Sequence, residues 1–187
     1  MTKGKQKKIE IGIVIKKDIS GNLAKDVYLA IGSNLGNRKR NIDLAKIKLE
    51  SKFTKIIKCS NYYETPSWPN PKNPKFINIV ILIKTSLTAI KLLKLCNIVE
   101  NDMGRKRLVK NDPRICDIDI IDYNSKLIKI RDKTNLEIPH PSMCKRNFVL
   151  LPLFEISKSW IHPKNKKSIA KLINLLSINE LSSIKQI

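Results

Sequence analysis

The run FINIVILI, residues 76–83, is the feature that most restricts how this chain can fold. Its side chains are apolar at nearly every position, whereas a strand with one solvated face alternates apolar and polar residues. A continuous apolar run of this length is typical of a strand that is buried on both faces. The sequence therefore predicts a sheet whose central part is covered by other elements.

The apolar patterns on either side of this run place it third among four strands, with two helices between them. The predicted elements are strand 27–31, helix 37–52, strand 56–63, strand 76–83, helix 88–103 and strand 116–123. Turn residues 32–36 are expected to end the first strand, and Thr88 and Gly104 to cap the second helix. Four prolines make 65–74 irregular, and further amphipathic pieces lie near 147–155 and 167–176. The order predicts an α+β fold of split β-α-β type, an antiparallel sheet with helices on one face.

Size and charge set the limits on domain organisation and partners. The chain has 187 residues, enough for one domain with a substantial core. Its 37 Lys and Arg against 16 Asp and Glu give a net charge of +21, which attracts polyanions. Because lysine is frequent along the whole chain, this excess is a weak indication of a specific basic patch. We expect a basic N-terminal extension over 1–25 and one domain over 26–187.

The cysteines and the apolar segments exclude some classes of protein. The four cysteines form no C-x-x-C pair, and with two histidines in the chain a structural zinc site is not expected. No segment approaches the ~20 apolar residues that a membrane-spanning helix needs, and the apolar run 9–15 is too short for a signal peptide. We expect a cytoplasmic protein.

Asp117 and Asp119 form the strongest candidate for chemistry. Residues i and i+2 of a strand lie on the same side, about 6.6 Å apart at ~3.3 Å per residue. Two carboxylates at ~5 Å repel each other by roughly 3 kcal/mol at an effective dielectric constant near 20. Divalent cations offset that repulsion, and oxygen ligands without a nearby histidine favour Mg²⁺ shared with phosphate oxygens. A solvated strand face is the plainer interpretation of this pair.

The residues that complement these carboxylates are arginines of a basic loop. Arg105, Arg107 and Arg114 offer planar, permanently charged donors that suit phosphate oxygens. Phosphoryl transfer depends chiefly on positioning and charge neutralisation. An ordinary solvated loop is the alternative, and closeness to the aspartates favours function for Arg105 and Arg114 more than for Arg107.

A second cluster places a histidine and an arginine near an aromatic residue. His140 lies between two prolines, and Arg146 follows in the same segment, so both could donate to phosphate. Phe76 and Phe148 could sandwich a flat ring, although core packing is their other interpretation. Together these residues predict a magnesium-dependent enzyme that transfers a phosphate-containing group from ATP to a small, flat, ring-shaped alcohol.

Several motifs resemble one known family. The segments AIGSNLG, ETPSW, FINIVI, VENDMGRKR, DPRICDIDII and IPHPSMCKRNFVLLPLFEI, which occur in order between about 28 and 163, resemble 6-hydroxymethyl-7,8-dihydropterin pyrophosphokinases of folate biosynthesis. The R-x-x-D-x-D element is the most specific of them. The resemblance implies a ferredoxin-like α/β/α sandwich. It also implies transfer of pyrophosphate from ATP to the pterin hydroxymethyl group, with release of AMP. Among the partners we expect no second copy of the chain.

The resemblance also implies roles for particular residues. Asp117 and Asp119 would bind two Mg²⁺ ions, and Arg105 and Arg114 would close over the triphosphate. ATP contacts are implied at Asn97, Glu100, Arg107, Ile120, His140 and Arg146. Pterin contacts are implied at Thr65, Pro66, Trp68, Phe76, Asn78 and Phe148.

The chain departs from the family pattern in two places. Asn111 and Asp112 stand where many members carry Trp-Gly, so an aromatic lid residue is missing and a negative charge is added. Asn135 and Glu137 stand where an arginine and a threonine can contact ATP. We expect these changes to affect nucleotide affinity and turnover rather than the type of reaction.

Two other functions share parts of this pattern. An RNA-recognition motif has the same element order and suits a basic chain, but it needs an aromatic-rich strand, and FINIVILI has one aromatic residue. A catalytically impaired relative that acts as a scaffold is compatible with the altered loop. We expect no nucleic acid and no membrane among the partners.

Overall fold

The computed structural model describes residues 24–67, 70–105, 112–131 and 135–187. Its strands are β1 Lys25–Ser33, β2 Thr54–Cys59, β3 Tyr63–Thr65, β4 Phe76–Thr85, β5 Asp117–Tyr123, β6 Ile128–Ile130, β7 Leu136–Ile138 and β8 Lys185–Gln186. Its helices are α1 Arg38–Leu49, α2 Ala89–Asp102, α3 Asn147–Ile156, α4 Ile169–Ile173 and α5 Ile178–Ser182, with a 3₁₀ turn at Met143–Lys145. Residues 1–23 of the predicted extension lie outside the described residues, and its last residue, Lys25, begins β1.

The main sheet is antiparallel and has the order β5-β1-β4-β3-β8, with β2 also paired to β4. β6 and β7 form a separate hairpin. The first, third and fourth predicted strands are therefore neighbours in the order expected of a ferredoxin-like sheet. The predicted α+β fold class is confirmed.

One face of the sheet carries the larger hydrophobic core. Alternate residues of β1, Val27, Leu29 and Ile31, are at most 1% exposed and face the helices α1 and α2. The helices bury matching residues at spacings of three and four, among them Ile42, Ala45, Leu49, Leu92, Cys96 and Val99. This periodicity is what the sequence pattern predicted.

The opposite face carries a second core that covers only part of the sheet. Val80 of β4 and Ile121 of β5 are fully buried there against α3 and α4. Leu150 and Leu153 supply the apolar face of α3. Burial on both faces of β4 is thus confirmed, and the uncovered part of this second face is where polar side chains meet.

Several predicted boundaries were wrong. The first helix, expected to run to residue 52, ends at Leu49. The strand expected over 56–63 is interrupted at Ser60, whose amide donates to the Val80 carbonyl at 3.0 Å and whose hydroxyl oxygen accepts from the Val80 amide at 3.0 Å. The first strand also continues through Gly32 and Ser33, which were expected to turn, since Gly32 pairs with both Asn78 and Asp117.

The second helix ends as predicted. Thr88 precedes it and accepts from the Lys91 amide at 3.4 Å, and Gly104 follows it at φ +89°. A side-chain N-cap and a left-handed glycine are the usual signals for these positions. Within the described ranges, no helix has the length and apolar character required to span a membrane.

Candidate active site

A cavity of about 210 Å³ opens on the part of the sheet that α3 leaves uncovered. Its floor follows from strand register, because Ala30 pairs with Asp119 and Gly32 with Asp117, and paired residues share a face. Six predicted nucleotide-side residues line the cavity: Arg105, Arg114, Asp117, Asp119, His140 and Arg146. Five predicted pterin-side residues line it as well: Thr65, Pro66, Phe76, Asn78 and Phe148.

The two aspartates lie beside separate sets of basic groups. Asp117 Oδ1 is 2.8 Å from Arg105 Nη1, and Asp117 Oδ2 is 3.5 Å from Arg114 Nη1. Asp119 Oδ2 is 3.0 Å from Arg146 Nη1. Burial and the charge of Asp119 raise the pKa of Asp117, and the arginines oppose that rise. The repulsion expected within the pair is therefore offset by side chains of the chain itself.

His140 faces the same cluster in its neutral form. The Ser142 amide donates to His140 Nδ1 at 3.2 Å, so the proton of the neutral ring belongs on Nε2. Nε2 lies 3.8 Å from Asp119 Oδ2. Burial lowers the pKa of His140, the charge of Asp119 opposes this shift, and the charge of Arg146 adds to it. The ring thus presents an uncharged N–H donor to the cavity.

Asn34 forms two hydrogen bonds with the backbone of Arg114, which precedes β5. The Arg114 amide donates to Asn34 Oδ1 at 2.6 Å, and the Asn34 amide donates to the Arg114 carbonyl at 3.1 Å. Arg114 Nε is buried and has no hydrogen-bond partner within the described residues. An unsatisfied buried donor is uncommon in a folded protein, so it marks Arg114 as a side chain whose hydrogen bonds are incomplete within the described residues. The sequence signalled Asn34 only as part of a tight turn.

The aromatic side of the cavity adjoins this charged side directly. The guanidinium carbon of Arg114 lies 5.7 Å from the centre of the Phe76 ring, and that of Arg146 lies 5.6 Å from the centre of Phe148. Asn78 donates to Thr65 Oγ1 at 3.0 Å at the edge of the floor. One cavity therefore combines ring faces, amide and hydroxyl groups, and a cluster of arginines and carboxylates.

Comparison with known proteins agrees with this arrangement. Residues 28–158 match the family model of the 7,8-dihydro-6-hydroxymethylpterin-pyrophosphokinases (HPPK). The chain belongs to this family. It is 41% identical over 143 residues to the 2-amino-4-hydroxy-6-hydroxymethyldihydropteridine pyrophosphokinase of Aquifex aeolicus, covering 76% of this chain and 87% of that protein.

A second relative is much longer than this chain. The folic acid synthesis protein FOL1 of Dictyostelium discoideum is 45% identical over 137 residues, which are 73% of this chain and 20% of that protein. This chain therefore spans about a fifth of the longer relative. A solved triple mutant of Plasmodium falciparum HPPK-DHPS matches the fold with a TM-score of 0.71 at 17% identity, over 90% of this chain and 47% of that chain.

Three described residues that the HPPK resemblance assigned to ligands, Asn97, Glu100 and Ile120, are not among those lining the cavity. Trp68 and Arg107 lie outside the described residues, as does Asn111 of the altered loop. Asn97 is half-buried on α2, and the side chain of Ile120 is 4% exposed in the core on the opposite face. Glu100 is 2% exposed and lies behind Arg105. The predicted contact of Trp68 with the pterin, and those of Asn97, Glu100, Arg107 and Ile120 with ATP, remain predictions.

Gly32, which the sequence predicted only as part of a turn, shapes the floor of the cavity. A Cβ atom at this position would stand 2.8 Å from Asn78 Oδ1 and 3.4 Å from Phe76 Cδ1. A larger residue would therefore displace the side chains on the aromatic side. The available signal was the pair of small residues, Ala30 and Gly32, at alternate positions of β1.

Asp117 and Asp119 are the side chains of this cavity that are chemically suited to bind a metal ion. The described residues contain no cluster of three or more His, Cys, Asp or Glu side chains that could hold an ion. Mg²⁺ commonly takes one or two protein carboxylates and completes its shell with water and substrate phosphates. Asp117 and Asp119 on one strand face match that donor set.

Proposed function

We propose that this protein transfers pyrophosphate from ATP to the hydroxyl group of 6-hydroxymethyl-7,8-dihydropterin and releases AMP. The observation that carries the proposal is the single cavity in which paired carboxylates and three arginines adjoin Phe76 and Phe148. Membership of the HPPK family supports the same reaction. A phosphate donor bound on the charged side of such a cavity would lie next to a flat acceptor bound on its aromatic side.

Charge neutralisation is the proposed task of the basic side. Arg105, Arg114 and Arg146 line the cavity and would donate to the triphosphate. The neutral ring of His140 would add an N–H donor. Asp117 and Asp119 would hold two Mg²⁺ ions, which when bound supply positive charge at the oxygens of the displacement.

Orientation of the acceptor is the proposed task of the aromatic side. Phe76 and Phe148 would stack on the pterin faces, and Asn78 and Thr65 would bond to its edge. The hydroxyl oxygen would attack the β-phosphorus in line with the leaving oxygen of AMP. Asp117 would orient that hydroxyl, and no described side chain in the cavity is placed as a strong general base.

The decisive experiment mixes the protein with ATP, Mg²⁺ and the hydroxymethyl dihydropterin. We expect AMP release that requires the pterin and stops when the metal is chelated. ATP cleavage that is independent of the pterin, or no cleavage at all, would contradict the proposal.

The same samples separate the alternatives. An RNA-binding module would bind RNA tightly in a salt-sensitive manner and release no AMP. Both faces of β4 are largely covered by helices, which disfavours this function because RNA-recognition motifs bind on an open sheet face. A scaffold would bind nucleotide without turnover.

A further inference from the structure

Glu100 is a buried acid close to the candidate active site but behind it. Its side chain is 3% exposed near the end of α2, and its carboxylate forms an ion pair with Arg105 Nη1. It also accepts a hydrogen bond from the Ile118 amide at 2.7 Å. A buried carboxylate is costly unless it is paired and hydrogen-bonded, so these contacts fix its place.

The chain turns sharply so that Arg105 returns to this acid. Gly104 at φ +89° follows α2, and the Arg105 amide donates to the Glu100 carbonyl at 3.0 Å. The same Arg105 Nη1 that contacts Glu100 lies 2.8 Å from Asp117 Oδ1. One guanidinium nitrogen therefore bridges the buried acid and the cavity carboxylate.

Glu100 also contacts the strand that carries Asp117. Its backbone partner Ile118 is the next residue along β5. Glu100 thus fixes both members of the Arg105–Asp117 pair, the arginine by charge and the aspartate through the adjacent amide. This geometry differs from that of an ATP ligand, whose side chain would reach the cavity.

We propose that Glu100 is a positioning residue that holds the guanidinium of Arg105 beside Asp117, instead of contacting ATP. The inference rests on the proposed function, because the position of Arg105 matters for the transferred phosphate. If Asp117 bound a cation, Arg105 would keep Glu100 as a partner and would stay on the phosphate side of the cavity. Without the charge of Glu100, Arg105 would have lost this ion pair when Asp117 is engaged elsewhere during phosphate transfer.

The test is Glu100→Gln, whose amide oxygen can still accept from the Ile118 amide. We expect kcat to fall about tenfold, the size of one charge-assisted hydrogen bond, with unchanged KM for the pterin and unchanged Kd for a nonhydrolysable ATP analogue. In an Arg105→Ala background, Glu100→Gln should have no further effect on kcat. The matched control is Asp102→Asn, an exposed acid of α2 paired with Lys48, which should leave kcat unchanged.

Opposite results would overturn the inference. These are a weaker Kd for the ATP analogue with normal kcat, or an equal loss of kcat with and without Arg105. A ligand-free arm compares unfolding free energies of both single variants and the double variant, where we expect non-additivity. If the wild-type protein releases no AMP, the proposed function fails, and additive unfolding free energies would then overturn the link between Glu100 and Arg105.

Discussion

Individual side chains in the cavity are held by neighbours of opposite charge. Asp117 contacts Arg105 and Arg114, and Asp119 contacts Arg146. Asp119 is 34% exposed, so its ion pair with Arg146 contributes little to the stability of the fold. Its predicted importance is therefore for ligand binding and turnover.

Replacing Asp119 by Asn tests this directly. We expect pyrophosphate transfer to slow by about 10²-fold or more, the usual cost of losing one preorganised electrostatic contact. The unfolding free energy should change by no more than about 1 kcal/mol. Steady-state AMP release and urea denaturation measure the two effects. Asp26→Asn, at an exposed ion pair with Lys84, is the control, and near-wild-type turnover in Asp119→Asn would refute the site assignment.

The buried imidazole of His140 predicts a pH effect on stability. Its pKa is lowered in the folded protein, so below its usual value near 6.5 the unfolded chain binds more protons than the folded one. The contribution of His140 to the unfolding free energy is then lost as pH falls from about 6.5 through the lowered pKa. Urea denaturation of wild type and His140→Gln at pH 7.5 and 5.5 gives the unfolding free energy of each protein. The value for wild type minus that for the variant should be smaller at pH 5.5 than at pH 7.5. A constant difference would exclude the effect.

At the scale of helices and strands, the sequence predicted well wherever the signal was local. The Thr88 cap, Gly104 and the alternation of Val27, Leu29 and Ile31 each act within a few residues of the element they define. The break after β2 was missed because Ser60 bonds to Val80, twenty residues away. A contact at that separation leaves no periodic signal in the sequence.

The helix α3 completes the second core and carries Phe148 at its start. Leu150 is fully buried in that core, and Leu175 near the end of α4 is 62% exposed. We expect Leu150→Ala to lower the unfolding free energy by about 2–5 kcal/mol, because it leaves a cavity. Leu175→Ala should stay within about 0.5 kcal/mol of wild type. Urea denaturation compares the two, and equal effects would argue against the described packing of α3.

For the whole molecule, the part of the candidate site that could be predicted consists of functional side chains that lie close together in the sequence. The carboxylates and their arginines were predicted from residue type and spacing, whereas the two phenylalanines were assigned to a flat ring chiefly by the family resemblance. The structure places all of them in one cavity. The roles of Gly32, Asn34 and Glu100 depend on the register of β1 and on the packing of α2 against β5. Those relations arise only when distant segments meet, so composition and spacing could not supply them.

The charge of +21 is a property of the whole chain and predicts a response to salt. Net charge of this size destabilises a compact state through self-repulsion, and added ions screen it. Raising NaCl from about 50 to 300 mM should therefore stabilise the fold by about 1 kcal/mol, a rise in Tm of about 2–4 °C for a chain of this size. Thermal unfolding followed by circular dichroism measures it. A fall in Tm would mean that specific ion pairs outweigh the general repulsion.

The arginines beside Asp117 and Asp119 have a thermodynamic consequence for ligand entry. A magnesium ion arriving alone would have to separate an aspartate from its arginine and leave that arginine without a counter-charge. A triphosphate that binds without metal would pair with the arginines and leave the aspartates without a counter-charge. Metal and nucleotide together exchange both sets of partners at once, so each should strengthen the binding of the other by the same factor.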